Sequence, residues 1–341
     1  MSEAQAATSD AALQLALPVV GAALPPLQLL SKLHEHALLE VVYTFLGPRE
    51  VESWAAACRV ASVLPELPLV LSLAGPWQGA LAPAAVLAAV PRWLAARGPL
   101  RPRTLRLRKS PAPLCAAMSS AVLRHDALGC LRRLEIGDCW VGDDGAAQLA
   151  AALLGRLDAG FGPAGLEALV LRRNNITAAG TRALAAALAR PEACPQLKLL
   201  DLDMNSVGAA GAEALAAALM TNTALESLYL GSNGVRADGA LALGRALAAP
   251  ACPLRCLDLN NNRIGMEGVV AIAQALRTNL ALTSICLAFN GLAHEEGGAA
   301  RLRDLLEAPL ALHPALESLD LRSNGLEGSE LLASLRGLKL R

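Results

Sequence analysis

Residues 197–205 read Leu197-Lys198-Leu199-Leu200-Asp201-Leu202-Asp203-Met204-Asn205. The same skeleton, Leu-x-x-Leu-x-Leu-x-x-Asn, recurs at Leu166–Asn174, Leu225–Asn233, Leu254–Asn262, Leu282–Asn290 and Leu316–Asn324. Leu131–Cys139 is a seventh copy with cysteine in the asparagine slot. A fixed period of this kind signals a solenoid, in which each unit buries its apolar face only against its neighbours. The second leucine of each copy marks the register: Leu134, Leu169, Leu200, Leu228, Leu257, Ile285, Leu319.

Each repeat has two halves. In Leu-x-Leu the apolar residues alternate, so both point to one face of a short strand. A glycine follows the asparagine slot six residues on, at Gly145, Gly180, Gly211, Gly239 and Gly268. Four and eight residues beyond it stand Leu149 and Leu153, Leu184 and Leu188, Leu215 and Leu219, Leu243 and Leu247, Ile272 and Leu276. That spacing is one face of a helix, and alanine, the best helix former, fills most other positions. The expected fold is α/β: a horseshoe of alternating strand and helix with a parallel sheet on the concave face. The repeats resemble the long, ribonuclease-inhibitor type of leucine-rich repeat.

The asparagine column is read as structure. A turn after each strand leaves backbone groups unpaired, and an interior asparagine can satisfy them coil after coil. Thr104–Leu107 and Leu69–Leu73 fit two further strands before the motif copies. Leu335-x-x-Leu338-x-Leu340 fits a last one, either a cap or the edge of a longer array.

Composition narrows the function classes. Net charge is zero, with 54% hydrophobic and 3% aromatic residues, and no basic patch is interleaved with aromatics, so nucleic acid and anionic membrane are not expected partners. The eight cysteines form no C-x-x-C pair and no zinc spacing, which favours reduced, buried thiols and a cytoplasmic or nuclear protein. Ala11–Leu30 is apolar but lacks a basic lead and carries Pro18, Pro25 and Pro26, against a signal peptide or anchor. Gly160–Gly165 matches G-x-G-x-x-G by letter but precedes a strand, so it reads as a loop insertion. No nucleophile with its base and no metal-ligand cluster stands out. The expectation is a non-enzymatic protein with no cofactor and no metal.

The organisation expected is residues 1–30 as a flexible Ala/Pro-rich lead, 31–64 as a helical segment and 65–341 as the repeats. In the middle segment Leu38, Val42, Phe45 and Leu46 share a helical spacing. Gly47-Pro48 stops that helix, and a second runs from Glu50 to Arg59. With its Phe45-Leu46-Gly47-Pro48-Arg49-Glu50-Val51 turn and Cys58-Arg59 pair, the segment resembles an F-box. It departs from that pattern in lacking a Leu-Pro start and in carrying Val60 after the pair. The resemblance implies an adaptor of a cullin-RING ubiquitin ligase docked at residues 33–60 through Leu38, Val42, Leu46 and Val51, with the repeats capturing a substrate. The alternative for the segment is a helical cap that covers the first repeat. Two alternatives remain open for the function. One is a stand-alone ribonuclease-inhibitor-like scaffold or inhibitor. The other follows from a similarity to the repeats of the Ran GTPase-activating protein, although the acidic tail of that family is absent here.

Between the inward leucines of each strand one residue faces the concave side: Glu135, Val170, Asp201, Tyr229, Asp258, Cys286, Asp320. Two residues further on, Asp203 and Asn260 extend the polar middle and Arg172 and Arg322 flank it. Glu135, Asp201, Asp203, Tyr229, Asp258, Asn260 and Asp320 are therefore the candidate partner-binding residues. They suit a basic segment of a protein partner, with Tyr229 as an aromatic anchor. The other candidate surface is the loops after the asparagine column, where Trp140, Arg236 and Arg263 lie.

Overall fold

The computed structural model describes residues 104–108, 131–158, 165–292 and 298–325, together with short strands at 14–15, 40–43, 70–74 and 339–340. Among these residues all strands join one parallel sheet in chain order. They are β1 (Gln14–Leu15), β2 (Glu40–Tyr43), β3 (Val70–Ala74), β4 (Thr104–Arg108), β5 (Arg133–Gly137), β6 (Ala168–Val170), β7 (Leu199–Asp201), β8 (Ser227–Tyr229), β9 (Cys256–Asp258), β10 (Ser284–Cys286), β11 (Ser318–Asp320) and β12 (Lys339–Leu340). Helices follow β5 to β10 at Gly142–Asp158, Ala178–Leu188, Gly208–Leu219, Arg236–Leu247, Gly265–Ala275 and Gly298–Leu312.

The register set by the leucines holds residue for residue. Leu134, Leu169, Leu200, Leu228, Leu257, Ile285 and Leu319 stand opposite one another along the sheet. Leu71 and Leu73 pair with Leu105 and Leu107, which fixes the register that spacing alone left ambiguous for Leu69–Leu73. At the other end Leu340, not Leu338, stands opposite Leu319, two residues out of the motif's register. A shift of two keeps the same residues on the same face.

Strand leucines and helix leucines meet in one continuous core. Leu200, Leu228 and Leu257 are buried, and so are all five helical pairs from Leu149/Leu153 to Ile272/Leu276. The glycine column permits this packing. A Cβ on Gly180 would lie 2.6 Å from Asp143 Oδ1, on Gly239 2.9 Å from Ala212 Cβ, and on Gly268 2.9 Å from Ala240 Cβ. Each helix thus leans on its predecessor at a point where no side chain fits.

The asparagines form a ladder. Asn262 Nδ2 donates to the Leu230 carbonyl of the preceding coil (2.8 Å), and its Oδ1 accepts from Asn233 N (3.0 Å) and Val235 N (3.1 Å). Asn205 and Asn290 repeat that pattern. Cys139 fills the slot as a donor, its thiol on the carbonyls of Leu107 and Gly137. A second column was not read from the sequence. Asn222 and Asn279, three residues before Leu225 and Leu282, donate back to the carbonyls of Leu188 and Leu247 and accept from the chain ahead. His313 takes that position before Leu316, with Nδ1 accepting from Leu316 N (3.1 Å). Burial lowers its pKa, which keeps the imidazole neutral.

One expectation fails. Glu40–Tyr43 runs as a strand between β1 and β3, where the reading of residues 31–64 placed a helix through Val42. Val41, Val42 and Tyr43 are β-branched or aromatic, and that preference prevails over a helical spacing carried by a few residues. Leu38, Leu46 and Val51 lie outside the described residues, as does most of the lead and of the Gly160–Gly165 insertion.

Two substitutions test the core and the ladder. Leu228→Ala should cost about 2–5 kcal/mol, read by urea unfolding, because it opens a fully buried site. Asn262→Ala should cost about 1–3 kcal/mol for each group it strands, with faster hydrogen exchange confined to the amides of Asn233 and Val235 and their neighbours. Exchange that rose uniformly along the array would contradict nearest-neighbour coupling.

Candidate functional site

The helix-free face of the sheet carries the predicted row, and the parallel register brings its members side by side. Asp201 pairs with Val170 and Tyr229, and Asp258 with Tyr229 and Cys286. Neighbouring strands lie ~4.8 Å apart, so residues on successive coils interact directly.

The row does not present one acidic stripe. Glu135 is held between the guanidinium groups of Arg106 and Arg133. Burial pushes its carboxyl up, but those two arginines outweigh it and hold it below the usual range. At the far end Asp320 takes a two-pronged bond from Arg322, through Nη2 at 2.6 Å and Nε at 3.0 Å, and is likewise held low against its burial. Both terminal carboxylates therefore carry their own cation.

The edge where the strands begin is self-paired too. Arg132 faces Glu167 (3.6 Å), and Glu226 sits between Lys198 (3.3 Å) and Arg255 (3.9 Å). This alternation was not singled out in the sequence. Its signal is the residue two before the register leucine, whose sign reverses from coil to coil from Arg132 to Arg255.

In the middle the pairing is thinner: of Asp201, Asp203 and Asp258, Asp203 alone forms an ion pair among the described residues, with Arg172. Asp201 Oδ1 accepts from Asp203 N (2.9 Å), Asp203 Oδ1 from Gly231 N (2.7 Å), and Asp258 Oδ1 from Asn260 N and Nδ2 (both 2.8 Å). Arg172 reaches Asp203 only at 3.7 Å, from a side chain half exposed to water. Burial, followed by the repulsion of Asp201, pushes the Asp203 carboxyl up to about 6, and Asp201 is also raised, chiefly by burial. Gly231 completes the arrangement. A Cβ there would lie 2.2 Å from Asn260 Nδ2 and 3.0 Å from Asp203 Oδ1, so glycine lets these polar groups close over the strand.

Tyr229 stands half-buried between Asp201 and Asp258. Burial, then Cys256 and the two aspartates, pushes its phenol up to about 12, so it stays neutral. It accepts from the Cys256 thiol at 3.8 Å and keeps its own proton to donate. The thiol of Cys286 is pushed up to about 12, mainly by burial, and those of Cys252 and Cys256 are raised for the same reason. These groups remain protonated at neutral pH and are poor nucleophiles. Among the described residues no group of three or more His, Cys, Asp or Glu could hold a metal ion, and no helix is long and apolar enough to cross a membrane.

Parallel strands, one helix per coil and an asparagine ladder between coils define a leucine-rich-repeat solenoid. Sequence comparison agrees: residues 130–150, 193–216, 221–244 and 251–273 match the Leucine Rich repeat family. A ribonuclease inhibitor of Mus musculus is 32% identical over 177 residues, which cover 52% of this chain and 37% of the inhibitor. The match thus spans little more than a third of that relative's length. Among solved structures, the leiomodin-1 actin-binding site 2 aligns at 24% identity and a TM-score of 0.37, over 47% of this chain and 88% of that one. A tropomodulin C-terminal domain from Caenorhabditis elegans aligns at 16% and 0.36, over 48% and 93%.

The raised carboxyl of Asp203 has a consequence for stability. Because its folded pKa lies above the ordinary aspartate value, the folded chain binds a proton that the unfolded chain does not, and stability falls as pH rises from 3.8 to about 6. Asp203→Asn should remove this loss. The variant should gain on the parent chain in urea unfolding at about pH 7 and match it more closely at about pH 4. A difference of equal size at both pH values would mean that the charge of Asp203 is not what costs stability.

Proposed function

We propose that the chain is a protein-binding scaffold, similar in kind to a ribonuclease inhibitor, and that the middle of its helix-free face binds a basic segment of a partner. The observation that carries this reading is the uneven charge pairing. The ends and the edge of the face neutralise themselves, while Asp201, Asp203 and Asp258 stand together around Tyr229. Such crowding costs stability, and an arriving guanidinium or ammonium group relieves it. An aromatic ring inside a charged patch is a frequent centre of binding energy. The distant likeness to a protein-named inhibitor and the repeat architecture support a binding role over a catalytic one. A cytoplasmic or nuclear setting goes with this reading.

Partners should be captured from cell extract on the full chain, and affinity for a captured partner then measured. Asp201→Lys, Asp258→Lys and Tyr229→Ala should each weaken it by about tenfold or more, that is by about 1.4 kcal/mol. Affinity should fall with added salt, since exposed charges are screened over ~8–10 Å. It should rise between about pH 5 and pH 7 as Asp203 ionises. Unchanged affinity in all three variants would move the site off this face.

The F-box-like turn at Phe45–Val51 and the Cys58-Arg59 pair support a second reading, a substrate receptor of a cullin-RING ubiquitin ligase. The strand at Glu40–Tyr43 weighs against it. Capture with and without residues 31–64 separates the two. Adaptor and cullin subunits that appear only with the segment would support the receptor, and their absence from both would remove it.

A further inference from the structure

The edge of the solenoid where strands turn into helices carries an open cleft of about 490 Å³, lined by Gly208, Ala209, Ser232, Gly234, Arg236, Asn261 and Arg263. That size falls within the ~300–1,000 Å³ common for ligand pockets. The cleft spans three successive coils. Gly208 and Gly234 leave it open, since a Cβ on either would meet nothing within 4 Å.

The two arginines occupy backbone positions that favour glycine. Arg236 has φ +59°, and its equivalents in other coils include Gly142, Gly208 and Gly265. Arg263 has φ +55°, and its equivalents include Gly234, Gly291 and Gly325. The turn of the repeat imposes this conformation, which Trp140 and Asn175 also adopt at the position of Arg263, so glycine can replace either arginine without new strain. Both side chains are exposed, and neither makes an ion pair with a described residue. The nearest acidic side chains in sequence, Asp238 and Glu267 in the first turns of the flanking helices, do not line the cleft. Asn261 Nδ2 donates to Ser232 Oγ (3.0 Å), which leaves the serine proton directed by its acceptor role toward another partner.

We propose that this cleft binds a phosphorylated serine on a peptide segment of a protein partner. Two guanidinium groups match the roughly twofold charge of a phosphate ester and its three acceptor oxygens. The serine hydroxyl supplies a further donor, and the glycine floor allows the flanking peptide backbone to approach. The site is of opposite sign to the acidic face and adjoins it, since Gly231, next to Ser232, donates to Asp203 (2.7 Å) and Asn260, next to Asn261, donates to Asp258 (2.8 Å).

The test uses the full chain and a labelled pentapeptide, Gly-Gly-Ser-Gly-Gly, with and without phosphate on the serine, followed by fluorescence anisotropy. The phosphorylated form should bind saturably, about tenfold or more tighter than the unphosphorylated form, and inorganic phosphate should compete. Arg236→Gly and Arg263→Gly should each weaken binding by about tenfold. Both variants place glycine where other coils already have it, so neither melting temperature should fall. Equal affinity for the two peptides, undiminished binding by both glycine variants, or binding of inorganic phosphate without the phosphopeptide would each overturn the proposal.

Discussion

The asparagine ladder is the constraint on which the rest depends. After each short strand the chain turns away from the sheet, and the amides of the asparagine and of the residue two beyond it face the interior without a ladder partner. A side-chain amide offers a donor and an acceptor at the right reach, so Asn205, Asn262 and Asn290 close those bonds to the coil before. Leucine would fit the space but strand the backbone. The ladder also fixes register. A coil that slipped by one residue would lose these bonds and turn its leucines to the wrong face.

Fixed register turns sequence position into electrostatics. Equivalent side chains on adjacent coils stand opposite one another, so a charge is stabilised or opposed by whatever the next repeat carries. Along the starting edge signs alternate and Glu226 is shared by two cations. At the two ends of the inner row the answer is an arginine within the same face. In the middle the pattern breaks, and burial, followed by the repulsion of Asp201, raises Asp203 to about 6. A local rule broken with only one distant compensating cation is expected where a protein meets something else.

Much of this was legible in the sequence. The leucine register, the helical pairs and the asparagine role follow from spacing alone, because each has a strict period and a physical reason for it. What escaped depended on neighbours outside the motif. Glu135 reads as part of an acidic row until Arg106 is placed one coil before it, and that requires the register of β4. The second asparagine column hides because cysteine and histidine share its position, as Cys194 and His313 do. The glycine column was visible as a marker, but its cause, helix against helix, appears only in three dimensions. In the segment before the repeats a helical spacing and a run of β-formers occupy the same residues, and position 42 could not reveal which would prevail.

Net charge misleads for a related reason. Equal numbers of acidic and basic residues suggest an indifferent surface, yet charges interact only within a Debye length of ~8–10 Å. Because each repeat sends different positions to the helix-free face and the turn edge, the two draw on different columns of the sequence. Aspartates gather in the strand columns at Asp201, Asp203 and Asp258. Arginines gather in the turn columns at Arg236 and Arg263. The overall sum cancels while the local fields do not, so the informative quantity in such a chain is charge counted down each repeat position, not along the chain.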